Sequence, residues 1–124
     1  MDLRRAAIAL SLGRAALGVA LTLTPERIAV PWVGPRGAEA PTSTLARSVG
    51  IRDVALGAGG AVSSLRGDST AAAWLAGAAV CDLGDIGAML AARDSLPQNG
   101  VRGTVAVAAG SAVIASLAAL AARS

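Results

Sequence analysis

The chain is 124 residues long, 54% hydrophobic and only 15% charged, and its net charge of +3 balances eleven basic residues, all of them arginine, against eight acidic ones. An ordinary soluble domain carries roughly 25% charged residues, so the shortfall points to a lipid bilayer, and so small a net charge without a basic cluster excludes nucleic acid as a partner. With no histidine and a single cysteine, Cys81, the chain has no internal disulfide, no cysteine-cage zinc site and no histidine-based catalysis; any chemistry falls to carboxylates and arginines or else to a cofactor, and no metal or cofactor is expected.

The length allows one domain, residues 1–124, and the pattern predicts an all-α fold, a four-helix transmembrane bundle with helices at about 4–23, 44–65, 70–93 and 103–122. The first helix is apolar from Ala6 to Leu23 apart from Arg14 and stops at Pro25. Arg4 and Arg5 ahead of an apolar run also fit a secretory signal peptide, but Arg14 interrupts the run and no small-x-small site follows it directly, so a retained helix is expected. Between Thr24 and Ser43 the stretch "TPERIAVPWVGPRGAEAPTS" holds four of the five prolines and Trp32. Proline forbids a continuing helix, so a loop is expected here, with a short piece at the membrane interface, serving as a cavity cap or as a plain connector.

The second helix is expected to start at Thr44, capped by Ser43 or Thr44, and to end near "RGDS" at Arg66 to Ser69. Its Gly50, Gly57 and Gly60 share a face, a pattern suited to close helix approach in lipid, where small residues rather than hidden apolar area bring helices together. The fourth helix is uncharged from Thr104 to Ala122, close to the about 20 residues that a bilayer core requires. Arg4, Arg5, Arg66 and Arg123 on one side balance Arg27, Arg36, Arg93 and Arg102 on the other, so the positive-inside count is a tie; weighting the first helix puts both termini in the cytoplasm.

The third helix poses the functional question, because "AAWLAGAAVCDLGDIGAMLAARD" carries Asp82 and Asp85 near the middle of an apolar span. Three residues apart, they share a face, about 60° and roughly 4.5 Å from each other along the axis. An acid at bilayer depth costs on the order of 3 kcal/mol, so both are expected to face the interior or a wet cavity and to find partners. Arg14, on a face with Ser11 and Gly18, is one; "ARSVGIRD" supplies Arg47, Arg52 and Asp53, the last on the Gly50 and Gly57 face. Arg14 and Arg52 against Asp53, Asp82 and Asp85 leave one negative charge in excess, which a proton on one carboxyl would remove.

Asp53, Asp82 and Asp85 are therefore the candidate catalytic residues and Arg14, Arg47 and Arg52 the candidate substrate-binding residues. A protonated acid beside an ionised one and an arginine can donate to an oxygen or alkene while the other carboxylate orients water or steadies a cation. That chemistry suits hydrolysis, cyclisation or isomerisation of a lipophilic molecule. The same cluster also fits headgroup binding, a proton or ion relay, or interhelical ion pairs that only fix register. Asp94 beside Arg93 and Asp68 beside Arg66 are expected to be helix-end charges in water, and Cys81 a small packing residue. "GAGG" at Gly57 to Gly60 follows no strand and precedes no lysine, so no phosphate loop is present.

The phrases "LARSVGIRDVALGAGG" and "AAVCDLGDIGAML" resemble a family of small four-helix membrane proteins of unknown function from actinobacteria. In that family an Arg-x-x-Gly-x-Arg-Asp phrase opens the second helix and an aspartate pair sits in the third, matching Arg47, Gly50, Arg52 and Asp53, then Asp82 and Asp85. The resemblance implies membrane residence and a polar cluster at these positions, without an established activity. Together these readings anticipate a multi-pass protein of the cell membrane whose partners are membrane lipid, a lipophilic small molecule, and a second copy of itself or another membrane protein. The alternative is a structural or accessory subunit of a membrane complex with no chemistry of its own. A transporter is disfavoured, since one chain has too few helices for an inverted-repeat pathway.

Overall fold

The computed structural model describes residues 2–123, and among these there are helices and turns but no strand. Helix α1 spans Leu3–Leu23, α2 Pro25–Val33, α3 Ala40–Arg66, α4 Ala71–Ala91 and α5 Gln98–Ala122, with 3₁₀ turns at Pro35–Ala38 and Arg93–Ser95. Five helices thus stand where four were expected: α1, α3, α4 and α5 are long, and the proline-rich segment read as a loop folds largely into α2. The prolines explain how. Pro25 occupies the first turn of α2 and Pro41 that of α3, where a missing N–H loses no intrahelical bond, so here they start helices instead of preventing them. Pro31 is the exception, placed inside the nine residues of α2.

For the same reason α3 starts four residues before Thr44. The Thr44 hydroxyl caps nothing and instead donates back to the Ala40 carbonyl at 2.8 Å. Gly34, at φ 99°, ends α2, and Gly67, at φ 64°, ends α3 in the left-handed conformation that glycine adopts without strain. In the turn that follows, the Asp68 carboxylate accepts from the Thr70 hydroxyl and from its backbone N–H at 2.9 Å, which holds the carboxyl below its usual range.

The four long helices form a ring in which α1 touches α3 and α5, and α4 touches those same two, so α1 and α4 face each other diagonally. Successive helices run antiparallel. At one end of the bundle, the Arg4 guanidinium donates to the Ser64 and Leu65 carbonyls at 2.8 and 2.7 Å, satisfying the C-terminal carbonyls of α3 from the start of α1. At the other end α2 lies across the bundle, held on α1 and α3 by Leu21, Ala29 and Ala46.

Burial runs opposite to that of a water-soluble bundle. The interior is mostly alanine, as at Ala7, Ala115 and Ala118, whereas large side chains such as Leu23, Val80, Leu83, Val107 and Leu120 point outward. Three helices, α1, α4 and α5, are long and apolar enough to cross a membrane. Small residues inward and large ones outward is the packing that works in lipid, where close backbone approach supplies the contact energy. The α1/α3 seam shows it most clearly: a Cβ added at Gly18 would fall 2.5 Å from the Gly50 carbonyl oxygen, and one at Gly57 2.5 Å from the Ser11 carbonyl.

Candidate functional site

Three of the charged residues occupy the middles of their helices. Arg14 lies eleven residues past Leu3 and nine before Leu23, and Asp82 lies equally far along α4, from Ala71 to Ala91. Asp53 is thirteen residues from either end of α3. Because the ring brings these midpoints to one level, the side chains meet in the centre.

Arg14 crosses the bundle diagonal to reach Asp82, its Nη2 donating to Oδ2 at 2.6 Å, while Nη1 donates to Asp53 Oδ1 at 3.5 Å. Arg52 turns from α3 toward α4 and grips Asp85 with two bonds, Nη1 to Oδ1 at 3.1 Å and Nη2 to Oδ2 at 2.9 Å. Its Nε and Nη2 also donate to Asp53 Oδ1, at 3.3 and 3.2 Å. The result is one chain of ion pairs, Asp82, Arg14, Asp53, Arg52, Asp85, with two cations against three anions. It grades from dry to wet: the Arg14, Asp53 and Asp82 side chains are under 10% exposed, those of Arg52 and Asp85 30%. A bidentate arginine fork is the strongest of these contacts, and it lies at the more accessible end.

Five of the six residues expected to form the site are therefore brought together. Arg47 is not: it is exposed on α3, and its side chain lies outside the network. The cause is helical phase. Arg47 lies six residues from Asp53, about 600° and so 120° around the helix from it, whereas Arg52 is long enough to reach back past its neighbour.

Beside the network lies a cavity of about 590 Å³, within the roughly 300–1,000 Å³ of small-molecule sites. Arg14, Asp53, Asp82 and Asp85 form its polar wall; the rest is mainly apolar, from Leu10, Leu17, Leu21, Ile28, Pro31 and Val107 among others. Trp32 of α2 closes one end, its indole Nε1 donating to Thr104 Oγ1 of α5 at 2.8 Å. The α2 and α5 backbones touch there, and a side chain at Gly100 would strike the Trp32 carbonyl. The segment expected either to cap a cavity or merely to connect thus contributes Ile28, Pro31 and Trp32 to the cavity wall.

Sequence reasoning missed the α5 wall. Thr104, Ala108 and Ser111 all line the cavity. Their spacing of four and three residues marks one face of a helix, a polar and small stripe on an otherwise aliphatic segment, and that was the available signal. Trp74 of α4 lays its ring over Gly59 of α3, outside this cavity.

No protein-family model, no curated protein and no solved structure matches the chain.

Proposed function

We propose that the protein is a multi-pass membrane protein, its four long helices crossing the bilayer as a bundle, and that it binds a lipophilic small molecule in the central cavity and acts on it through the Arg/Asp network. The carrying observation is the coincidence of a mainly apolar cavity with an ion-pair network of unequal charge at the midpoints of α1, α3 and α4. Three carboxylates with two arginines leave one negative charge in a place where an unbalanced charge is expensive. Asp82 or Asp85 serves as the acid, donating to an oxygen or alkene of the ligand. Asp53, held by both arginines, is the complementary carboxylate that accepts a proton from water or stabilises a developing cation. Hydrolysis, cyclisation and isomerisation all draw on this pair of roles. The cell membrane as location and membership of the actinobacterial four-helix family suggested by the Arg47 to Asp53 phrase belong to the same proposal.

Native mass spectrometry of the protein released in a mild detergent tests it. A lipophilic molecule is expected to travel with the parent protein and to be lost from Asp82→Asn, with the bundle still helical. A ligand-free parent particle overturns the reading.

One observation favours a second reading, a structural or accessory subunit of a membrane complex: every carboxylate of the network already has an arginine, as ion pairs that only fix helix register would require. That reading gains if a stable membrane-protein partner co-purifies and no small molecule does.

A further inference from the structure

We infer that the ligand enters sideways from the lipid, through a portal between α1 and α5 edged by Gly13 and Gly103, and that it is a bilayer-dissolved lipophile with a small uncharged polar function, such as an alcohol, ether, epoxide or ketone. This rests on the cavity being a ligand site, as proposed above, and adds the route and the substrate class.

The route follows from what is closed. Toward one end the cavity is stopped by Leu10 against Ala79, Ala112 and Ala115, and beyond them by Ala7 and Leu75 packed with Ala118 and Ala119. The other end lies under α2, fastened to α5 by Trp32. Between these, α1 and α5 stand on either side of the cavity, and its exposed edges include Gly13 and Leu17 on α1 with Gly103 and Val107 on α5. The glycines are the telling feature. At Gly18, Gly50 and Gly57 an added Cβ would collide with a neighbouring backbone, but at Gly13 and Gly103 it would meet nothing within 4 Å. These two are therefore not small in order to pack tightly. Each occupies a helical position where alanine would be the more stable residue, and what each leaves is an opening.

The ligand class follows from depth. Arg14 and Asp82 lie at the centres of helices of 21 residues, which at 1.5 Å per residue puts the network roughly 15 Å from either helix end. A phospholipid keeps its charged headgroup at the interface, and drawing one to this depth carries the penalty of any charge in the bilayer core. A molecule with one small neutral polar group moves through the core freely and can present that group to the carboxylates while its hydrocarbon lies along the apolar wall.

The test uses Trp32 as reporter in a Trp74→Phe background, in phosphatidylcholine vesicles, with terminally brominated undecanol as a neutral quenching probe and chain-brominated phosphatidylcholine as the headgroup-bearing control. Saturable quenching of Trp32 by bromoundecanol is expected, with no saturable component from the brominated phospholipid. In Gly13→Leu/Gly103→Leu the onset of that quenching is expected to slow several-fold or the saturable component to vanish, while Gly13→Ala/Gly103→Ala stays close to the parent. An unchanged onset and amplitude in the leucine variant, with the saturable component still abolished by Asp82→Asn, overturns the portal and leaves the site standing. Saturable quenching by the brominated phospholipid overturns the ligand class. No saturable component in the parent protein removes the ligand site itself, and the portal with it.

Discussion

Helix α1 carries glycine toward two neighbours with opposite results. Against α3, Gly18 lets two backbones touch, and the seam through Gly50 and Gly57 leaves no space for a methyl group. Toward α5, Gly13 faces the open half of the bundle, and a methyl there would meet nothing. One residue type thus makes a tight seam and an open wall on the same helix. What a glycine does in a membrane bundle is decided by the element opposite, not by its own helix.

The largest effect is expected where the two regions meet, at Arg14, which lines the cavity and pairs with Asp53 and Asp82. Arg14→Leu strands Asp82, whose side chain is under 10% exposed, and leaves Asp53 to Arg52 alone, a loss of about 3–5 kcal/mol for a broken buried network. Thermal unfolding in detergent should show it as the least stable single variant; a transition within a degree or two of the parent would mean that the network is not holding the helices. Next comes a pair of identical substitutions. Gly18→Ala forces the α1 and α3 backbones apart and should cost about 1–3 kcal/mol, as overpacking does. Gly13→Ala should stabilise by about 0.5–1 kcal/mol, because a helical glycine gains by acquiring a methyl group where there is room. Equal signs for the two would erase the distinction between seam and portal.

The smallest effect is expected outside both regions, at Asp68. Its carboxyl is held below its usual range, first by the Thr70 hydroxyl and then by the Thr70 backbone N–H. A depressed pKa in the folded state means that the stabilisation is complete above the unfolded value, near pH 4, and is lost as pH falls through the folded one. Acid unfolding of the parent should therefore carry a small component that Asp68→Ala lacks, readable as a shallower acid limb of the stability curve.

Much of this molecule is legible in its sequence for one physical reason: charges in the middle of apolar helices must find partners. Asp82 and Asp85 three apart on an apolar helix, Arg14 alone in another, and the Arg52 and Asp53 pair name the network almost completely, and Arg47 fails only by its angle around α3. The apolar length of α1, α4 and α5 is equally plain. The segment from Thr24 to Ser43 is misread because proline is taken as a helix breaker when most of its prolines sit where helices begin. The cavity is illegible for another reason. It depends on α2 crossing to α5, and a hydrogen bond between Trp32 and Thr104, 72 residues apart, has no local signature.

The diagonal reach of Arg14 also bears on how the protein is made. Its two partners lie 39 and 68 residues further along the chain. An arginine at the centre of a lone transmembrane helix opposes insertion by about 2.5–3.5 kcal/mol, and at a synthesis rate of roughly 5–20 residues per second Asp82 follows seconds later. If the bundle crosses the membrane as proposed, α1 is by itself a poor occupant of the bilayer during that interval. On the topology proposed above, the Arg14 charge is met first by Asp53, as the antiparallel α1/α3 seam forms, and then by Asp82 as α4 closes the bundle.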